Sequence, residues 1–318
     1  LVAGFALARL WAESRDRDAA RDRLRRLVPK VAAWHRWFHA MRDPAGTGLV
    51  AILHPWESGR DNSVDWDAPF DAVPTEGIAP YTRRDTQHAD PAHRPTKAQY
   101  DRYLWLVECF RGLGWDNSRL HDASPFRVVD PGFNAILIRS AADLAELARD
   151  LGETALAEEN EAFAARGLSA LDALWSDAHG QYLCLDRVTG RLIDSASSGG
   201  LLPVLAAIPP ARAEAVARRI LSFDCPHVVP SHDPADARFD ARRYWRGPVW
   251  LVVNYMIADG LRRAGQGTAA DRVQRASLDL IRQSGFAEYY DPTDGTPLGG
   301  GRFTWTAAMV LEFEAMVA

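Results

Sequence analysis

Three stretches of this 318-residue chain gather carboxylates, aromatics and glycine in combinations that suit sugar chemistry. The first runs Leu53-His54-Pro55-Trp56-Glu57-Ser58-Gly59-Arg60-Asp61-Asn62-Ser63 and continues as Val64-Asp65-Trp66-Asp67. Aromatic faces pack on the C–H face of a pyranose, and carboxylates and amides exchange hydrogen bonds with its hydroxyls. Gly59 lets the backbone turn tightly, so that Asp61 projects into a cleft. The same composition also suits an Asp/Asn-rich loop capped on itself, with Trp56 and Trp66 as core residues.

The second stretch is Arg243-Tyr244-Trp245-Arg246-Gly247-Pro248-Val249-Trp250, followed by Asn254 and Tyr255. Three large aromatics and two cations precede a helix expected to start at Pro248. Trp245 and Trp250 cannot both face the core of a loop, so at least one is expected to be a stacking platform. The third is Gly285-Phe286-Ala287-Glu288-Tyr289-Tyr290-Asp291-Pro292, ending in Gly299-Gly300-Gly301-Arg302-Phe303-Thr304-Trp305-Thr306. Glu288 reads as lying just past a helix end among apolar neighbours, where a carboxylate is costly unless paired or used. Asp291-Pro292-Thr293-Asp294-Gly295 reads as a β-turn rather than a calcium loop, whose other ligand positions are missing. The glycine triplet points to backbone approaching a ligand closely, or to a mobile loop.

Two other patterns carry less. His35 and His39 stand one helical turn apart, but no third metal ligand accompanies them and Trp34, Trp37 and Phe38 suggest packing. Ser197-Ser198-Gly199-Gly200 lacks the lysine and preceding strand of a phosphate loop and reads as a helix-entry turn. No metal or cofactor is expected.

Helices must position these stretches. Ala19 to Met41 places Leu24, Leu27, Val28, Val31, Trp34 and Phe38 at a 3.6-residue rhythm, with charge opposite. Similar patterns run from about Lys97 to Leu113, Phe133 to Leu151, Leu156 to Ser176, Ala213 to Ser222, Pro248 to Arg263, Ala269 to Ser284 and Phe303 to Val317. Asp130-Pro131 is a start signal, and Gly152 and Gly265 are expected left-handed caps. Gln181–Leu185 and Arg191–Ile193 around a Thr189-Gly190 turn read as one hairpin, and Gly48–Leu53 as a short extended piece. The loops at 53–95, 223–250 and 286–305 are long and rich in Trp, Asp, Pro and Gly, a composition typical of functional loops. No linker divides the chain, so a single all-α domain of paired helices over residues 1–318 is expected.

The bulk properties restrict the partners. A net charge of −5 without a Lys/Arg-rich run argues against nucleic acid and anionic membrane. Cys109, Cys184 and Cys225 form neither a disulfide framework nor a CxxC pair, which favours a reducing, cytoplasmic setting. No apolar run approaches the ~20 residues of a membrane span. The N-terminus lacks the basic leader of a signal peptide and has no initiator Met, so the native start is expected to lie upstream.

HPWESGRDNS with its trailing WD, RYWRGPVW followed by NY, EYYDP, and LGG followed by FTWTA resemble the motifs of glycoside hydrolase family 63 and its relatives, especially the bacterial glucosylglycerate and mannosylglycerate hydrolases. Their order and spacing agree with the family from about residue 20 onward. The resemblance implies an (α/α)6 toroid and hydrolysis of α-glycosidic bonds with inversion. Asp61 would protonate the leaving oxygen and Glu288 would activate the water. Trp56, Glu57, Gly59, Asn62, Tyr244, Trp245, Arg246, Gly247, Trp250 and Trp305 would form the sugar site. An inverting pair should stand roughly 6.5–9.5 Å apart to admit a water. Asp61 must hold its proton near neutrality, which burial and nearby Glu57 would favour, and an arginine would favour the ionised Glu288. His93-Arg94-Pro95-Thr96 followed by Tyr100 resembles the segment that supplies an arginine to a glycerate carboxylate; Arg94 and Tyr100 are the candidates here, and a salt bridge is the other role for Arg94.

The implied substrate is a small charged glycoside such as glucosylglycerate or mannosylglycerate. A trehalase-like α-glucosidase acting on neutral sugars and a non-catalytic sugar-binding relative are the alternatives, and a homo-oligomer is compatible with either. Family members carry additional helices before the first motif, whereas about ten helices are legible here rather than twelve. The toroid is therefore expected to lack its N-terminal helices and the sugar-binding residues on them.

Overall fold

The computed structural model describes residues 1–87 and 90–316 of the chain. It is mostly helical, with small sheets that tie loops together. Two helices open the chain, α1 (Ala3–Glu13) and α2 (Arg17–Arg42), followed by the one-turn helices α3 (Pro55–Ser58) and α4 (Asp67–Phe70). Then come α5 (Lys97–Gly112), α6 (Asn117–Ala123), α7 (Pro131–Asp150) and α8 (Thr154–Leu171). After a stretch of short strands follow α9 (Pro210–Ser222), α10 (Leu251–Arg263), α11 (Gly267–Ser284) and α12 (Thr304–Ala315).

Local chemistry explains the boundaries. The Asp16 side chain accepts from the Ala19 N–H at the start of α2, and Thr96 and Gln99 form a reciprocal capping box on α5. At α7, Asp130 accepts from Gly132 and Phe133 N–H, with Pro131 at the first helical position as expected. Gly152 and Gly265 take positive φ of 82° and 74° past the ends of α7 and α10. Most residues of α7 are buried, because α1, α2, α8 and the turn at 202–206 pack around it. Leu24, Val28, Leu144 and Leu147 form one core between these helices. A second joins Ile52, Leu53, Trp66, Tyr103 and Phe126, and the largest runs through α10, α11 and the 201–208 segment.

Four sequence expectations change here. The helix from Leu156 ends at Leu171, because Trp175–Ser176 (β2) pairs antiparallel with Gln181–Tyr182 (β3). The expected hairpin is therefore split: Leu185–Asp186 (β4) pairs with Arg191–Leu192 (β5) and with Val128–Val129 (β1), while Ile52 bridges Val128. The helix expected from Pro248 begins at Leu251, since Val249 exchanges backbone hydrogen bonds with Tyr290 at 2.8 and 3.1 Å. Glu288 lies in a strand rather than past a helix end, in a hairpin of Ala287–Tyr290 (β6) and Pro297–Gly301 (β7). The Asp291–Gly295 turn joins these strands, and the final residues of the helix expected to reach Val317 fall outside the described ones.

His35 is buried between Asn160 and Ser140, and the His39 ring stacks on Phe163 at 4.2 Å. Ser197 caps a 3₁₀ turn over Ser198–Gly200. Among the described residues no helix is long and apolar enough to cross a membrane.

Candidate active site

The turn that carries Asp61 is built residue by residue. The His54 side chain caps α3 by accepting from the Trp56 N–H, and Gly59 ends that helix at φ 73°, a conformation strained for any residue with a side chain. Arg60 and Asn62 are both buried, on either side of Asp61. The Tyr103 hydroxyl donates to the Asp61 carbonyl at 2.5 Å. Burial pushes the Asp61 carboxyl up to about 7; Arg94 opposes that rise, and Asp85 and Glu288 add to it. Glu57 is engaged elsewhere, contrary to the sequence expectation. Its two oxygens are taken by Arg42 at 3.0 Å and the Leu53 N–H at 3.1 Å, which makes it a brace for the loop.

Glu288 projects from β6 and is held from three directions. The Gly300 N–H donates to Oε2 at 3.2 Å, Arg94 Nη2 stands 3.5 Å from the same oxygen, and the Tyr244 hydroxyl lies 3.4 Å from Oε1. The Arg94 guanidinium also sits over the Tyr244 ring, 4.4 Å from its centroid. A side chain on Gly299 would collide with the Glu288 carboxylate, so the glycine triplet brings backbone up to Glu288 itself.

The three loops converge. Asn62 Oδ1 accepts from the Trp245 N–H at 2.9 Å, and Arg246 binds both oxygens of Asp67 at 2.9 and 2.8 Å. Gly247 lies against the Asp240 carbonyl, with no room for a β-carbon. Trp245 and Trp250 correct an expectation: both are buried, at 4% and 3% exposure, and they stack on each other at 4.0 Å. Trp250 continues the stack onto Tyr289 at 4.9 Å and donates its indole N–H to the Tyr244 carbonyl. The pair forms the wall behind Tyr244 instead of an open platform.

The exposed aromatic is Trp56, at 41%, with Tyr100 and Tyr103 beside it. Tyr100 is sandwiched by Tyr81 and by the Arg83 guanidinium, which is in turn fixed by Asp85 and the Pro95 carbonyl. Trp305 stands apart from this cluster, on the wall of an apolar cavity with Phe5, Val252 and Met256. Sequence reasoning gave no role to Asp85, Tyr103 or Tyr289. Tyr103 was accessible, since it sits three positions from Tyr100 and so shares its helix face. Tyr289 follows Glu288 in the EYYDP motif, and Asp85 lies in the polar stretch ahead of Arg94, but nothing local to either showed what it does.

Two carboxyl groups from separate elements thus share one site. One holds its proton to near neutrality, and the other is cradled by donors. Such an arrangement is chemically suited to general acid–base work. Among the described residues no three His, Cys, Asp or Glu side chains gather as a metal site.

Residues 2–306 match the family described as the mannosylglycerate hydrolase MGH1-like glycoside hydrolase domain. Mannosylglycerate hydrolase MGH1 of Selaginella moellendorffii is 46% identical over 313 residues, covering 98% of this chain and 64% of that protein. A mannosylglycerate hydrolase of Thermus thermophilus is 46% identical over 305 residues, covering 95% and 73%. The crystal structure of a family 63 mannosylglycerate hydrolase from Thermus thermophilus in complex with Tris superposes with a TM-score of 0.96 at 44% identity, over 99% of this chain and 76% of that one. The chain spans 64% of the length of its Selaginella relative.

Proposed function

Because this chain belongs to the family of mannosylglycerate hydrolase MGH1-like glycoside hydrolase domains, we propose that the protein hydrolyses a small α-glycoside of glycerate with inversion at the anomeric carbon. Asp61 gives its proton to the glycosidic oxygen, and Glu288 takes one from the attacking water on the opposite face. Trp56 offers its exposed face to the substrate, and Tyr100, its ring covered by Tyr81 and Arg83, offers its edge and hydroxyl. Arg94 supplies a cation to the glycerate carboxylate: its Nε has no hydrogen-bond partner among the described residues, and its planar fork suits a carboxylate. One observation carries the reading, the pairing of a carboxyl raised to about 7 with a donor-cradled glutamate in the same site.

We read the helices as an (α/α)6 toroid. Support comes from helices adjacent in sequence that pack as pairs, α1 with α2, α7 with α8 and α10 with α11. Three free cysteines suit a cytoplasmic setting.

The test is proton NMR of the sugar first released from mannosylglycerate and from glucosylglycerate. The β-anomer is expected; first release of the α-anomer excludes inversion, and no release from either compound excludes the activity.

A further inference from the structure

Arg60, the residue before the acid, is a fully buried cation. Its Nη1 donates to Asp65 at 2.5 Å, to Ser197 at 2.9 Å and to Ser63 at 3.2 Å, and its Nη2 donates to Asp130 at 2.8 Å. Asp65 also accepts from the Ser197 hydroxyl at 2.6 Å. The other oxygen of Asp130 caps α7, so the helix N-terminus helps to offset the second negative charge. A β-carbon on Gly199 would come within 2.6 Å of the guanidinium, so the 198–200 turn lies flat against it. Burial works against the charge of Arg60, and Asp130 and Asp65 more than restore it. The guanidinium therefore joins three segments: the turn bearing Asp61, the start of α7, and the Ser197 turn.

We infer that Arg60 is a positioning residue for Asp61: its clamped guanidinium fixes the backbone from which the acid projects. This rests on the reading of Asp61 as the acid. The adjoining bonds complete the fixation. The Trp66 indole N–H donates to the Arg60 carbonyl at 2.5 Å, Tyr103 holds the Asp61 carbonyl, and Asn62 is held by Trp245. Asp61 is thus anchored through its backbone and both neighbours, leaving its carboxyl for the site. A buried ion cluster is seldom more stabilising than an apolar filling of equal volume. What it adds is direction, since charged hydrogen bonds tolerate little displacement. Misplacement of a catalytic group by about 1 Å costs roughly a hundredfold in rate.

The experiment compares wild type with Arg60→Lys, Arg60→Met, Arg60→Met/Asp65→Asn and Asp61→Asn, reading melting temperature, kcat, KM and the pH profile on mannosylglycerate and glucosylglycerate. Arg60→Met alone leaves two buried carboxylates without their cation and tests folding. The double variant removes one of those charges and is expected to fold. Its kcat should fall roughly ten- to a hundredfold with KM within about twofold, the pattern of lost transition-state positioning. Its alkaline limb should move to lower pH, because burial is the main cause of the raised Asp61 value and a loosened Asp61 that gains water loses part of it, with Arg94 still favouring the charge and Asp85 and Glu288 opposing it. A lowered melting temperature alone does not produce that pair of changes. If the double variant does not fold, Arg60→Lys decides, since one ammonium cannot reproduce the fork and kcat should drop with KM retained. A folded variant with wild-type kcat and an unmoved limb overturns the inference. Asp61→Asn separates the two readings: if it turns over like wild type, or wild type releases no sugar, the assignment of the acid fails and this inference with it.

Discussion

Asn62 accepts a hydrogen bond from the backbone N–H of Trp245, 183 positions away, and so fastens the loop of Asp61 to the loop of Tyr244. Both groups are buried, so neither can turn to water when the other is removed. Tyr244 in turn reaches Glu288, which makes this bond the start of a short path between the two carboxyl groups.

Asn62→Leu keeps the volume and removes the acceptor. An unpaired buried N–H costs about 1–3 kcal/mol, so a lower melting temperature and a reduced kcat are expected together. Calorimetry and steady-state kinetics check it; an unchanged melting temperature would contradict the role given to this bond.

Asp61 should set the alkaline limb of activity. Only the protonated acid can serve the leaving group, so kcat/KM is expected to fall as pH rises through about 7. The same shift bears on stability. A carboxyl raised from its usual 3.8 in the folded protein favours folding most at low pH, and that contribution is lost as pH climbs through about 7. Asp61→Asn should therefore abolish turnover yet stabilise the protein at pH 8, on the order of 2–4 kcal/mol, with the gain fading toward pH 4. Thermal denaturation at both pH values decides; a variant less stable than wild type at pH 8 would count against a protonated, buried Asp61.

Gly299→Ala puts a methyl group against the Glu288 carboxylate at a residue with φ of 70°. The base should swing off its line, lowering kcat by roughly tenfold or more. Steady-state rates beside those of Gly46→Ala, a positive-φ glycine with open space around it, separate displacement of Glu288 from backbone strain.

Arg94→Ala removes a cation that faces both carboxyl groups. The loss of a charged hydrogen bond to glycerate, about 1.5–3 kcal/mol, should raise KM for the glycerate glycosides roughly ten- to a hundredfold. Since Arg94 holds the Asp61 carboxyl down, the alkaline limb should also move to higher pH. Comparable losses on a neutral disaccharide would argue that Arg94 serves the acid and base and not the aglycone.

Much of this protein was legible in its residues alone. The apolar rhythm of α2, α7 and α11 and the Asp130-Pro131 start of α7 follow from local geometry, which depends on neighbours in sequence. Glu288 stood out as a carboxylate among apolar neighbours, costly unless paired or used, and Asp61 as one carboxylate of several in an aromatic, glycine-containing loop; their roles as base and acid came from the resemblance of their motifs to glycoside hydrolase family 63. What stayed hidden depends on partners far along the chain. Val249 is extended because Tyr290 claims its backbone groups, and Trp245 and Trp250 are buried because each supplies the other's packing surface. Glu57 stands close to Asp61 in sequence but bonds to Arg42, while Asp85, which had no role in the sequence reading, bears on the acid's charge. Residue types and short-range periodicity determined which groups could do chemistry and which segments became helices. Only the tertiary structure decided which carboxyl lost its water, which gained donors, and which loops met, because desolvation and cross-chain hydrogen bonds arise when distant segments pack.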